Sequence, residues 1–169
     1  NQIYESGKTI AGELTKIGIN LNLAPVADLA SDQNPSYAMR CLGSDADGVA
    51  DLLDDFVSGM REGGLSVTLK TFPGIGNVSA DVTESIAENT DSLMTIRDTN
   101  FVPYASGIQA GADCVMVSNA AYSKLTVKKV PAFMSQDIVT KLLREELGFD
   151  GIVMTSPLND NVIENNYTN

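Results

Sequence analysis

The stretch GLSVTLKTFPGIG, residues 64–76, decides the fold. Its first half has the β-branched and apolar composition of a strand, and Pro73, Gly74 and Gly76 then turn the chain. Lys70 lies where the strand meets the turn, a position at which parallel α/β folds carry functional side chains. The stretch therefore predicts a strand whose carboxyl end faces a site.

Helical and strand-like periodicities alternate on both sides of this stretch, in the order α-β-α-β-α-β-α-β. In the first predicted helix, Ile10, Leu14 and Ile17 form the expected inward face, and the tail 159–169 is expected to fray. Alternation of this kind predicts a parallel sheet with right-handed crossovers. Two architectures fit: a small open sheet, or part of a (β/α)8 barrel, which normally needs about 250 residues. The predicted strands are 19–28, 65–70, 113–118 and 151–156, and the predicted helices are 4–18, 44–62, one or two within 92–111, and 135–148.

Composition narrows the possible functions. The 169 residues are read as one domain, 1–169, with a net charge of −11 that repels phosphate backbones and argues against nucleic-acid binding. No apolar run approaches the roughly 20 residues of a membrane span. Cys41 and Cys114 lie in no metal-binding spacing and the chain has no histidine, so no metal site is predicted. No glycine-rich phosphate loop follows any strand, so no cofactor is predicted either.

Four stretches in order, 18–28, 34–45, 64–76 and 143–156, resemble the N-terminal barrel domain of glycoside hydrolase family 3, especially its bacterial β-N-acetylhexosaminidase branch. The resemblance covers nearly the whole chain. It implies an α/β fold in which parallel (β/α) units form about half of a TIM-type (β/α)8 barrel. It also implies descent from O-glycosyl hydrolases of carbohydrate metabolism.

The resemblance assigns three substrate-binding positions that this chain retains. The aspartate of the family's APVAD segment falls on Asp28, and its sugar-contacting arginine and lysine fall on Arg40 and Lys70. Each residue also has an ordinary alternative: Asp28 could close a turn, Lys70 could be solvated, and Arg40 could pair with Asp45 or Asp47.

The chain departs from the family at the positions that carry the chemistry. The Asp-x-His acid/base pair falls on Asp81 and Thr83, and the nucleophilic aspartate falls on Ser156. A retaining glycosidase needs both a proton donor and a carboxylate, and neither a threonine nor a serine without a neighbouring base replaces them. Glu84 or Glu88, on the same loop as Asp81, could supply a rebuilt acid. Three further histidine positions of the family are Thr71, Ile75 and Asn119.

Three functional interpretations follow. The preferred one is a barrel segment that has lost catalysis and keeps a weak pocket for an N-acetylglucosamine- or glucose-type sugar. The alternatives are a non-catalytic interaction module, and an active glycosidase completed by residues outside this chain. Half a barrel leaves open sheet edges, so self-association or a missing segment is expected to cover them. The sequence does not identify a compartment; the bacterial resemblance is consistent with a soluble protein that is extracellular or at the cell surface.

Overall fold

The computed structural model describes residues 1–78 and 81–167. The helices are α1 (Gln2–Lys16), α2 (Pro35–Ala38), α3 (Ala46–Glu62), α4 (Leu93–Asp98), α5 (Phe101–Gln109) and α6 (Asn161–Tyr167), with a 3₁₀ turn (Ala132–Met134) and a π-helix (Asp137–Glu146). The strands are β1 (Leu21–Asn22), β2 (Ser66–Phe72), β3 (Glu88–Asn89), β4 (Cys114–Val117), β5 (Ala121–Tyr122) and β6 (Ile152–Thr155).

The main sheet has four parallel strands in the order β1-β2-β4-β6. Neighbours in space therefore follow one another along the chain, as in a barrel, whereas a doubly wound sheet reverses its order at a switch point. Of the two architectures that fit the sequence, the barrel type is the one adopted. A second, two-stranded parallel sheet joins β3 to β5, and both of its strands lie in loops that follow main-sheet strands.

Strands β2 and β4 form the centre of the core. Their apolar side chains are buried on both faces, as expected for a parallel sheet covered by helices. Phe72 at the end of β2 packs against two rings of α5, with ring centroids 5.6 Å from Phe101 and 5.2 Å from Tyr104. These contacts fix the carboxyl end of β2, where the predicted site lies.

The inward face predicted for α1 is wrong for two of its three residues, while Leu14 packs against the core as expected. Ile10 and Ile17 are exposed, and the buried residues of α1 are Gly7 and Ala11. The helix approaches α3 through small residues: a Cβ added at Gly59 would lie 2.1 Å from the Tyr4 carbonyl oxygen. Close backbone contact between α1 and α3 therefore replaces the expected contact between large apolar side chains.

The tail that was expected to fray instead forms helix α6. Val162 and Ile163 are buried, and the Val162 amide donates a hydrogen bond to the Thr83 carbonyl oxygen at 2.8 Å. The Asn161 side chain also donates to Glu84 at 2.8 Å. Helix α6 thus anchors the loop that follows β2.

Smaller differences concern element ends. Strand β2 continues through Phe72, two residues beyond the predicted end, while β1 is reduced to two residues. Asp45, one residue after the predicted cap, is the N-cap of α3, and its carboxylate accepts from the Gly48 amide at 2.8 Å. Within residues 1–78 and 81–167, no helix is long and apolar enough to cross a membrane.

Candidate functional site

A cavity of about 520 Å³ opens between the loops that follow β1 and β2, at the carboxyl end of the main sheet. It brings four sequence-predicted positions together: Arg40, Ile75, Asp81 and Thr83. Its full lining is Gln33, Asn34, Pro35, Ser36, Tyr37, Arg40, Ile75, Asp81, Val82 and Thr83.

Arg40 is exposed on one wall of the cavity. Its guanidinium lies 5.0 Å from the centroid of the Tyr37 ring, a cation–π contact that orients it. The predicted alternative, pairing with Asp45 or Asp47, does not occur, and Asp45 caps α3 instead. Arg40 makes no ion pair with any residue that the structure describes.

Lys70 follows the buried centre of β2 and is half-buried. Burial and the charge of Arg40 both lower the pKa of Lys70, while the charge of Asp28 opposes that shift. Lys70 is not among the residues that line the cavity. Neither ammonium nor guanidinium has a carboxylate in contact within the described part of the chain.

Asp28 is buried, with 1% of its surface exposed. Its carboxylate accepts from the Tyr37 hydroxyl at 2.7 Å, the Tyr104 hydroxyl at 2.8 Å, and both the Thr71 hydroxyl at 2.8 Å and the Thr71 amide at 3.1 Å. Burial raises the pKa of Asp28, and these hydrogen bonds oppose the shift. As a sugar contact Asp28 stays a prediction; in this structure its donors are all protein groups.

The Asp81–Thr83 pair keeps the local contact expected of an Asp-x-His pair. The Asp81 carboxylate accepts from the Thr83 hydroxyl at 2.7 Å and from the Thr83 amide at 2.9 Å. These bonds lower the pKa of Asp81, so it is ionised near neutral pH and has no proton to give. Glu88, one of the two residues considered as a rebuilt acid, instead pairs with Lys129 at 2.8 Å.

Ser156 and Asn119 lie outside the cavity lining. Ser156 has 7% of its surface exposed, and its hydroxyl donates to the Val117 carbonyl oxygen at 3.1 Å. Asn119 is fully buried and donates to Asp160 at 2.9 Å, while its own Oδ1 has no partner among residues 1–78 and 81–167. Asn119 follows the end of β4 and Ser156 follows the end of β6.

The sequence alone did not indicate Tyr37, Tyr104 or Asp160 as residues of the site region. Tyr37 and Tyr104 hold Asp28, although only Tyr37 lies inside a motif, between Asn34 and Arg40. Asp160 is the third residue that the sequence did not indicate. Burial and the charges of Asp81 and Glu84 raise its pKa. The two residues that follow it bond to the loop after β2, Asn161 through Glu84 and Val162 through Thr83. The only sequence signal for Asp160 is a position four residues after Ser156, in a polar tail that was expected to fray.

Comparison with protein families gives a match over nearly the whole chain. The model of the glycosyl hydrolase family 3 N-terminal domain matches residues 1–168. A β-hexosaminidase from Xylella fastidiosa strain M23 is 34% identical over 155 residues, which is 92% of this chain and 45% of that protein. The chain thus spans about half the length of this curated relative.

Solved structures give the same picture. A family 3 β-N-acetylglucosaminidase from Paenibacillus sp. str. FPU-7 superposes with a TM-score of 0.94 at 32% identity, covering 98% of this chain and 32% of that one. A β-N-acetylhexosaminidase from Beutenbergia cavernae superposes with a TM-score of 0.88 at 36% identity, covering 97% of this chain and 50% of that one.

Proposed function

Because this chain belongs to the glycosyl hydrolase family 3 N-terminal domain family, we propose that it is a β-hexosaminidase-like barrel segment that binds a sugar weakly and does not itself hydrolyse it. The named activities of its relatives, β-hexosaminidase and β-N-acetylglucosaminidase, make an N-acetylglucosamine-type sugar the first ligand to test. A bacterial extracellular or cell-surface location is part of the same proposal.

The cavity supports the binding half of the proposal. Its volume falls within the roughly 300–1,000 Å³ of small-molecule sites. Arg40 supplies several N–H donors at its wall. Of the three predicted sugar contacts, Arg40 lines the cavity, whereas Lys70 and Asp28 do not.

The state of Ser156 is the main support for the second part of the proposal, that the chain does not hydrolyse the sugar. This residue occupies the position that the family resemblance assigns to the nucleophile, and its hydroxyl is buried and bonded to the Val117 carbonyl oxygen. An uncharged hydroxyl held in this way can neither attack nor stabilise an oxocarbenium-like centre. Thr83, at the proton-donor position, likewise has no proton that it can give near neutral pH.

Two measurements test the proposal. We expect no hydrolysis of 4-nitrophenyl N-acetyl-β-glucosaminide above the rate without protein. We also expect N-acetylglucosamine to raise the midpoint of thermal unfolding in the unchanged chain, and this rise to disappear in Arg40→Gln and Lys70→Met. Lys128→Met, which removes an exposed cation that makes no ion pair in the described residues, should keep the full rise. Absence of a rise with any sugar would favour the interaction module instead.

Asp160 supports a second candidate function, in which the chain keeps slow hydrolytic activity. Its pKa is raised in the direction that suits a general acid, and it lies near the ionised Asp81. If slow hydrolysis is found, this candidate requires Asp160→Asn to abolish it while Asp150→Asn, a change at an exposed carboxylate, leaves it intact. Hydrolysis unaffected by Asp160→Asn would point to a contaminating enzyme or to another acid.

A further inference from the structure

We propose that helix α6 positions the cavity wall that Asp81 and Thr83 form, and that acid strengthens this contact through Asp160, the residue that directly precedes the helix. The contact lies within the chain, so it can be measured without a ligand. Its consequence for binding rests on the sugar-binding function above.

A continuous series of hydrogen bonds joins α6 to the cavity. The Val162 amide donates to the Thr83 carbonyl oxygen at 2.8 Å, and the Asn161 side chain donates to the Glu84 carboxylate at 2.8 Å. Thr83 in turn donates to the Asp81 carboxylate through its hydroxyl at 2.7 Å and through its amide at 2.9 Å. Because Asp81 and Thr83 line the cavity, displacement of α6 would remove a support from that wall.

Helix α6 depends on the same contact for its own order. It has seven residues, and helices shorter than about 12–15 residues are marginal in water without tertiary packing. Its buried residues are Val162, which is fully buried, and Ile163, which is 8% exposed. The helix and the cavity wall are therefore expected to gain and lose order together.

Acidic residues meet where the helix docks. The Asp160 carboxylate accepts from the Asn119 side chain at 2.9 Å, and the next residue, Asn161, bonds to Glu84. Asp160 is thereby held beside the loop that carries Asp81 and Glu84. None of these three carboxylates forms an ion pair with a lysine or arginine in the described ranges 1–78 and 81–167. Repulsion between them therefore opposes the docking of α6.

Two other acidic residues belong to the same elements. Glu88, farther along the loop after β2, pairs with Lys129 at 2.8 Å, so its charge is balanced. Glu164, one turn along α6, is exposed, and its amide donates to the Asp160 carbonyl oxygen at 3.1 Å. Asp160 is thus the residue through which the start of the helix brings a negative charge to the loop.

Protonation of Asp160 removes part of this repulsion. Burial raises the pKa of Asp160, the hydrogen bond from Asn119 opposes that shift, and the charges of Asp81 and Glu84 add to it. The contribution of this carboxyl to stability is therefore fully present below the unfolded value of 3.8 and declines as pH rises through the raised folded pKa. Bonds from Thr83 lower the pKa of Asp81, which stays ionised over that range. The helix is held more firmly at about pH 4 than at neutral pH.

Hydrogen exchange followed by mass spectrometry at about pH 4 and about pH 7 tests the inference, with rates corrected for the intrinsic effect of pH on exchange. We expect peptides from 81–89 and from 159–167 to be protected together, about 2- to 5-fold more at the lower pH, the size typical of an exposed charge interaction. About 0.5 M salt should reduce the difference. Residues 66–72, in β2, are the internal reference for the global fold.

Three variants separate the two parts of the inference. Asp160→Asn should give both segments at about pH 7 the protection that the unchanged chain shows at about pH 4. Asn161→Ala should lower the protection of both segments at both pH values and spare β2. Alanine is the better helix former, so this loss would come from the missing bond to Glu84. Asp150→Asn removes an exposed carboxylate before β6 and should change neither segment.

Equal protection at the two pH values in the unchanged chain, or a pH difference that survives Asp160→Asn, would overturn the role of Asp160. Loss of protection confined to 159–167 in Asn161→Ala would overturn the positioning role of α6. Asn161→Ala should also raise the dissociation constant of N-acetylglucosamine, because fewer molecules have the wall in place. Absence of binding by the unchanged chain would overturn the sugar-binding function and leave the exchange results to decide this inference.

Discussion

At the scale of single residues, one buried carboxylate organises the site. Asp28 joins the loop after β1 to Thr71 at the end of β2 and to Tyr104 of α5. These partners are 43 and 76 residues away along the chain. The carboxylate thereby fixes the end of β2 that carries Lys70, so its role in this structure is to position the site.

Tyr104→Phe tests this role. The change removes a donor to a buried carboxylate, so we expect the free energy of unfolding at pH 7 to fall by about 1.5–3 kcal/mol. Tyr167→Phe is the control, because its hydroxyl has no hydrogen-bond partner within the described residues and its loss should cost less than about 0.5 kcal/mol. Urea unfolding followed by circular dichroism measures both values. Equal losses in the two variants would contradict the anchoring role.

The deficit of Tyr104→Phe should also depend on pH. Burial raises the pKa of Asp28 in the folded chain above the unfolded value of 3.8. The contribution of this carboxyl to stability is therefore fully present below pH 3.8 and declines as pH rises through the raised folded pKa. Tyr104 opposes that decline by bonding the ionised form, so its removal should cost more at pH 7 than at about pH 4.

The sequence could identify the cations of the site but not their surroundings. Lys70 and Arg40 lie inside motifs whose spacing survives in this chain, and of the two only Arg40 lines the cavity. The contact between Tyr104 and Asp28 was not predictable, because no local pattern relates residues 76 apart. Asp160 escaped for a similar reason: its neighbours Asp81 and Glu84 reach it only after α6 packs back onto their loop.

At the scale of elements, the packing of α1 on α3 shows where periodicity misleads. An apolar stripe predicts the buried face of a helix when large side chains fill the interface. Here Gly7 of α1 and Gly59 of α3 let the two backbones meet directly, and Ile10 and Ile17 lie on the exposed side. The pattern that predicts α3 correctly, with Leu53 buried in its stripe, therefore holds in α1 only for Leu14.

Gly59→Ala and Gly12→Ala form a matched pair that tests this interface. Both changes improve helix propensity by about 1 kcal/mol. A Cβ at Gly59 would lie 2.1 Å from the Tyr4 carbonyl oxygen, whereas a Cβ at Gly12 meets nothing within 4 Å. We expect Gly59→Ala to lower the free energy of unfolding by about 1–3 kcal/mol net and Gly12→Ala to raise it by about 0.5–1 kcal/mol. A stabilised Gly59→Ala would show that the helices do not pack this closely.

At the scale of the whole molecule, the alternation of helices and strands was enough to predict a parallel sheet, and the family motifs identified it as part of a barrel. The short strands β3 and β5 were not predictable, because two-residue strands carry no periodicity. Helix α6 was missed because only Val162 and Ile163 of its seven residues are apolar enough to suggest a buried face. Both features depend on contacts between loops at one end of the sheet.

The two edge strands of the main sheet predict how the isolated chain behaves in solution. Strands β1 and β6 each pair on one side only within the described part of the chain. Exposed apolar side chains lie at both edges: Leu23 after β1, 47% exposed, and Ile152 in β6, 63% exposed. Unpaired strand edges with apolar side chains recruit further strands, so we expect the isolated chain to self-associate.

Light scattering over a range of protein concentrations tests this expectation. The weight-average mass should rise with concentration in the micromolar to millimolar range, since partners must meet to cover the edges. Leu23→Lys combined with Ile152→Lys should lower that mass towards the monomer, because charged residues at an edge oppose pairing. Val127→Lys changes a loop side chain that is 99% exposed, away from both edges, and should have no effect. A constant monomer mass in the unchanged chain would mean that the edges are protected without a partner, and would contradict the idea that half a barrel needs one.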